Sequence, residues 1–190
     1  MILNQIHQIW IGPRPLPSKW LDTWDSKVYR DEDIEDLHLV NQEKYDYYYK
    51  NKNYAGATDI ARVEIIYRYG GVYMDADSYC LNPIDELLDN EFFAGIEYDD
   101  RVANGVFGAT PEHPILKDYI DRINKATVLD PACYTVGGTL FTTCIDLYGR
   151  DKVTILPQYA FYPKWKHRGE IKGKIYARHM WGTTKNAYEG

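Results

Sequence analysis

A single α/β domain folded round a central, mostly parallel sheet is the class this chain predicts, and three observations carry it. Short apolar runs alternate with stretches of helical period along most of the chain, the order that gives a sheet with helices on its faces. The clearest helix, Ala57 to Tyr69, runs through Gly70-Gly71 straight into Val72-Tyr73-Met74, a helix-to-strand junction closed by glycine. At 190 residues, with no internal repeat and no linker, the sequence fits one domain over its whole length with enough chain for a proper core.

The elements follow in order. Ile2 to Ile11 alternates loosely and runs into Gly12-Pro13-Arg14-Pro15-Leu16-Pro17, a first strand leading to an extended loop. Ser18 is placed to cap a helix carrying Trp20, Leu21 and Trp24. A short strand is expected near His38 to Val40, then a tyrosine-rich polar stretch through Tyr54. In the helix from Ala57 to Tyr69, Ile60, Val63 and Tyr67 make the core stripe and Gly70 the left-handed stop. Phe92 to Ile96 and Val106 to Ala109 read as strands, Ile115 to Ile123 and Leu140 to Tyr148 as helices, and Val153 to Leu156 and Lys174 to Ala177 as late strands.

Composition narrows the function. Hydrophobic residues at 45% and charged residues at 26% describe a globular chain and exclude a disordered one. A net charge of -6 without a lysine or arginine run excludes duplex nucleic acid as the main partner, which needs a concentrated basic face. The 18 tyrosines and 5 tryptophans are mostly core rings, with some left to line a groove for sugars. Cys80, Cys133 and Cys144 form an odd set without a CxxC pair, which speaks for a reducing compartment. With no glycosylation acceptor, no charged leader and no run of membrane-spanning length, a cytoplasmic protein is expected. The ending from Thr183 to Gly190 has no closing apolar element and suits one domain of a longer chain.

The chemistry concentrates around residue 75. Asp75 and Asp77 stand two apart at the end of an apolar strand, so on an extended backbone both side chains leave the same face. Converging anions call for a cation between them, and a hard divalent metal that brings phosphate oxygens is the usual answer. Asp59 and Arg62, three apart, share a helix face, and Ile60 and Val63 occupy the buried one. Alone they read as a surface ion pair of little worth. The glycine stop, however, brings their helix beside the strand that carries the carboxylates, at the strand end where open α/β sheets bind ligands.

The pattern Ala57-Thr58-Asp59, Arg62, Tyr67, Gly70-Gly71, Tyr73, Asp75, Asp77 resembles that of the DXD sugar transferases of glycosyltransferase family 32, and the glucosylating domain of large clostridial toxins has the same spacing. Ile6-His7-Gln8-Ile9-Trp10-Ile11-Gly12 resembles the first strand of both groups. Weaker matches run through Phe92-Phe93-Ala94-Gly95, Asn104-Gly105-Val106, the stretch from Pro157 to Pro163, and His179 to Lys185. The resemblance implies a GT-A-type (Rossmann-like) domain that moves a hexose from a nucleotide sugar, UDP-hexose foremost, to a glycan or polysaccharide hydroxyl, with Mn²⁺ or Mg²⁺ as cofactor. It places Trp10 over the nucleotide base, with Ile9 and Tyr73 on the nucleotide side. Asp59 and Arg62 would hold the sugar and the bond being broken, and Asn104 would reach the sugar. Asp75 would contact ribose, sugar or metal, and Asp77 the metal.

His179, Gly182 and Lys185 resemble the His-x-x-Gly-x-x-Lys signature of glycogenin-like transferases, in which the histidine completes the metal shell and the glycine amide and lysine hold the diphosphate. A lysine point charge suits a leaving group gaining negative charge. The chain departs from family 32 at Met180, where a second histidine is usual, and at Gly137-Gly138-Thr139, where the acceptor region usually has Gly-Pro. Both resembling groups retain anomeric configuration. An inverting path would need a base, for which Asp99 or Asp100 is available.

Rival readings fare worse. A phosphohydrolase of the haloacid dehalogenase type also ends a strand in Asp-x-Asp, but on its first strand and with a later Gly-Asp-x-x-x-Asp that is missing here. A calcium loop from Asp75 to Glu86 fails because Cys80 stands where glycine is required and Tyr79 where an oxygen ligand belongs. A degenerate sugar-nucleotide or glycan-binding module would not be expected to keep Asp59, Arg62, Asp75, Asp77, His179 and Lys185 together. Trp10 itself reads equally as a core ring or as one leaving the sheet.

Overall fold

The computed structural model describes residues 1–163, 170–182, 185 and 188. Its strands and helices are, in chain order, β1 (Ile6–Ile9), α1 (Ser18–Leu21), β2 (Ser26–Tyr29), α2 (Asp31–Leu37), α3 (Gln42–Lys50), α4 (Tyr54–Tyr69), β3 (Gly71–Met74), β4 (Ser78–Cys80), β5 (Phe92–Tyr98), β6 (Arg101–Ala109), α5 (Pro114–Lys125), α6 (Ala132–Thr135), α7 (Gly138–Tyr148), β7 (Thr154–Leu156) and β8 (Ala177–His179). The central sheet is six-stranded in the order β2-β1-β3-β6-β5-β7. β1 lies parallel to both β2 and β3, β5 lies parallel to β7, and β6 alone runs against its neighbours β3 and β5. The sheet is therefore mostly parallel, as the strand–helix alternation predicts.

Both faces of the sheet are covered, which explains why its strands read as continuous apolar runs. Tyr73, Phe92, Ala94 and Phe107 face a core shared with α3, α4, α5 and α7. Their neighbours Val72, Met74, Phe93 and Val106 face a second core with Trp24, Phe161, Tyr162 and Ala177. Alternation of period two thus sends successive residues into different cores.

α4 lies within the first core and is buried on nearly every side, Arg62 and Glu64 included. Asn53 caps it, its side chain accepting from the Gly56 amide at 3.0 Å. It stops at Gly70 and Gly71, with φ of 66° and 93°. A Cβ on Gly71 would fall 2.5 Å from the Gln5 carbonyl, so the helix-to-strand corner is closed to any side chain.

Several expected elements differ. No strand forms at His38 to Val40: His38 ends α2 with φ 49°, and the buried Glu64 carboxylate takes the amides of Val40 and Asn41 at 2.6 and 2.9 Å. The edge strand is β2 instead, too short and polar to announce itself. The tyrosine-rich stretch is the helix α3, with Tyr45 and Tyr48 turned inward. Ser18 opens α1 as its first residue and makes no cap, since Pro17 holds that position. The last strand begins at Ala177 and pairs antiparallel with β4 rather than joining the central sheet. Thr183, Thr184 and most of the chain's ending lie outside the described residues.

Candidate active site

Asp75 directly follows β3, an internal strand flanked by β1 and β6. The backbone does not stay extended to Asp77. It turns, with the Ser78 amide donating to the Asp75 carbonyl at 2.9 Å, so the two carboxylates meet through a turn rather than through strand alternation. β4 then pairs with β8 in a register that sets Ser78 opposite His179. The pairing brings the imidazole to the carboxylates: Nε2 lies 3.2 Å from Asp75 Oδ2 and 3.2 Å from Asp77 Oδ1. The Gly182 amide donates to the other Asp77 oxygen at 2.7 Å.

Arg62 faces this group from α4. Its Nη1 lies 3.1 Å from Asp75 Oδ1 and donates to the Asn104 carbonyl at 2.9 Å, and its Nη2 lies 3.3 Å from Asp59 Oδ1. The guanidinium also sits over the Tyr73 ring, whose hydroxyl donates to Asp75 Oδ1 at 2.9 Å. Asn104 Nδ2 donates to Asp59 Oδ1 at 2.8 Å. The ion pair between Asp59 and Arg62 is thus buried within a network and is no surface pair.

Electrostatics follow from this burial. Desolvation raises the Asp59 pKa from 3.8 to about 6, against the pull of Arg62 and Asn104. Burial opposes charge on Arg62 and on Asp75, but their mutual attraction outweighs it, with His179 also favouring the Asp75 carboxylate. Burial likewise works against a charged His179, and Asp77 and Asp75 overcome it to raise the pKa.

Arg62, Asp75, Asp77 and His179 line a cavity of about 590 Å³. Trp10 also lines it, just past β1 and in neither core, with its Nε1 donating to the Arg14 carbonyl at 3.0 Å and its ring 4.9 Å from that of Tyr188. Ile9, Tyr73 and Asn104 also line the cavity. Asp59, Gly182 and Lys185 are not among its lining residues: Asp59 supports Arg62 from behind, and Lys185 is exposed. Asp99 and Asp100 stand exposed in the β5–β6 turn, outside the lining. Sequence reasoning missed Glu97, Arg101 and Tyr162, which do line it. A lone carboxylate near the end of the apolar run of β5 was the available signal for Glu97.

Asp75, Asp77 and His179 each offer a ligand atom, and these atoms lie within 4.8 Å of one another. Two carboxylate oxygens and one imidazole nitrogen make a donor set able to hold a divalent metal ion.

Comparison with known proteins gives the following. Residues 16–94 match a family profile described as a glycosyltransferase sugar-binding region containing a DXD motif. A glycosyltransferase of Acanthamoeba polyphaga mimivirus is 33% identical over 176 residues, covering 81% of this chain and 68% of that protein. Inositol phosphoceramide mannosyltransferase 1 of Schizosaccharomyces pombe is 33% identical over 136 residues, and the match spans 63% of this chain but only 42% of the yeast protein. Among solved structures, the PaToxG glycosyltransferase superposes with a TM-score of 0.62 at 17% identity, over 78% of this chain and 70% of that one, and shares its GT-A-type fold.

Proposed function

The chain belongs to the glycosyltransferases whose sugar-binding region contains the DXD motif, and on that premise we propose that it moves a hexose from a nucleoside-diphosphate sugar, UDP-hexose foremost, to a hydroxyl of a glycan acceptor. The observation that carries this reading is the Asp75–Asp77–His179 cluster beside Arg62, on the wall of a cavity that also holds Trp10. The sheet and the two-stranded ribbon that build the site form one catalytic domain.

A metal ion held by Asp75, Asp77 and His179 would supply positive charge to the leaving diphosphate without a proton. Arg62 is fixed by Asp59, Asp75 and the Asn104 carbonyl, so its charge is preorganised toward the bond that breaks. Trp10 offers a ring for the base, uridine in our reading, and the Lys185 ammonium serves the diphosphate, while the Gly182 amide, which donates to Asp77 Oδ2, orients that carboxylate. Configuration is retained, with the departing diphosphate taking the acceptor's proton on the same face. In support, Asp99 and Asp100, the bases named for an inverting path, lie outside the cavity lining.

The test is slow donor hydrolysis with UDP-glucose, UDP-galactose and GDP-mannose in the presence of Mn²⁺. At least one donor is turned over by the wild type, and Asp77→Ala or EDTA lowers the rate by about a hundredfold or more. UDP binds more tightly than GDP, and the product's anomeric proton reports retention by NMR. Undiminished turnover in EDTA overturns the metal's part, and equal affinity for UDP and GDP overturns the uridine assignment.

A further inference from the structure

Two polar groups in the cavity wall have no part in the scheme above. Glu97, near the end of β5, is 8% exposed and is the only carboxylate lining the cavity besides Asp75 and Asp77 among the described residues. Arg101 Nη2 lies 3.0 Å from its Oε2, four residues on and across the β5–β6 hairpin. Tyr162, which follows the short turn after β7, is 2% exposed, and its hydroxyl finds no hydrogen-bond partner among the described residues. A buried hydroxyl without a partner carries a desolvation penalty that a ligand can relieve.

The position of that hydroxyl is informative. A Cβ on Gly105 would lie 3.1 Å from Tyr162 Oη and 2.4 Å from Asp75 Oδ2, so both atoms crowd one point that only glycine leaves open. Tyr162 therefore sits next to the metal-ligand cluster, its ring 5.5 Å from that of His179. A phenol is protonated at neutral pH, so the hydroxyl has a proton to donate. Asp59, to which the family resemblance gives the sugar, is not among the lining residues and is engaged by Arg62 and Asn104.

A hexose bound by its diphosphate at the metal cluster needs acceptors and donors for its ring hydroxyls in this part of the wall. We infer that Glu97 and the Tyr162 hydroxyl bind ring hydroxyls of the transferred hexose, with Arg101 positioning the Glu97 carboxylate, and that together they select among hexose epimers. The inference rests on the donor reading given above and names its sugar subsite. A site built to hydrogen-bond a hydroxyl discriminates strongly against a sugar that lacks it or presents it on the other face, because its own buried groups are then left unpaired.

The experiment compares Glu97→Gln and Tyr162→Phe with the wild type, each first checked for an unchanged unfolding transition. Calorimetry with Mn²⁺ measures UDP-glucose, UDP-galactose and GDP-mannose against UDP and GDP as sugarless controls, and donor hydrolysis is followed without acceptor. The expected result is that affinity for the preferred nucleotide sugar falls about tenfold to a hundredfold in Glu97→Gln, and by less in Tyr162→Phe. Affinity for the bare nucleotide changes less than twofold, and the ratio of hydrolysis rates among donors moves toward one. Unchanged donor affinity and selectivity in both variants overturns the inference while leaving the donor reading intact. A loss confined to transfer onto an added acceptor does the same, by assigning Glu97 to the acceptor side. Failure of the wild type to bind any of the nucleotides or sugar nucleotides overturns both.

Discussion

At the scale of single residues, Arg62 decides most. It is buried, yet it reaches Asp59, Asp75 and two backbone carbonyls, those of Thr58 and Asn104, with geometry that only a planar fork of donors provides. A lysine at this position keeps the charge but loses the bridge. Arg62→Lys is expected to fold, to bind Mn²⁺ within a few-fold of the wild type, and to lower donor turnover by about a hundredfold. Steady-state hydrolysis beside a metal titration separates the two effects, and wild-type turnover in the variant removes Arg62 from the site. The sequence made Arg62 legible because spacing along a helix is rigid. Glu97 and Tyr162 escaped it because a residue's presence in a cavity wall depends on which strand or turn lies beside which, and no local period encodes that.

At the scale of elements, the two-stranded ribbon of β4 and β8 completes the metal cluster, since it sets His179 across from Ser78. The ribbon is anchored from below: Trp24 Nε1 donates to the Ser78 carbonyl at 2.8 Å, and Thr23 Oγ1 accepts from the Cys80 amide at 3.0 Å. Trp24→Phe removes the Nε1 donor and leaves a buried carbonyl unpaired. It is expected to lower stability by about 1–3 kcal/mol in urea unfolding and to weaken Mn²⁺ binding several-fold. Unaltered metal affinity in a folded variant separates the anchor from the site.

The ribbon also marks where sequence reading stopped. Long periodic elements such as α4, α5 and α7, and the apolar strands β3 and β5, could be read because burial on one or both faces leaves a pattern. β2, β4 and β8 are three or four residues long, and what makes them strands is a partner distant in the chain. His179 was found through its spacing to Gly182 and Lys185, whereas the pairing that delivers it was not.

At the scale of the whole molecule, two buried groups at different places oppose each other in acid. Burial lowers the His7 pKa from 6.5 to about 4, so as pH falls through that window the unfolded chain takes up a proton that the fold refuses, and stability drops. Asp59, raised from 3.8 to about 6, does the reverse: the fold takes the proton first, and stability rises as pH falls from about 6 to 3.8. Each contribution is of order 3 kcal/mol, so in the metal-free protein they nearly cancel. Single variants uncover them. Urea unfolding in EDTA at pH 4 to 7 is expected to show a steeper acid loss in Asp59→Asn and a gain toward acid in His7→Gln, relative to the wild type. Parallel curves for all three proteins would refute the assignment.

Asp75 has its carboxylate held by Arg62, Tyr73 and His179, and its amide bonded to the Gly105 carbonyl at 2.8 Å. Those partners come from α4, β3, β8 and β6, so one residue, through its carboxylate and its amide, is the common junction of a helix, two strands of the main sheet and the ribbon. A junction of that kind ties endurance to competence. The architecture cannot slacken in any one of those members without disturbing the carboxylate, so the molecule has little room for a working state that is partly unravelled. On heating, donor turnover and the unfolding signal are expected to be lost at the same temperature.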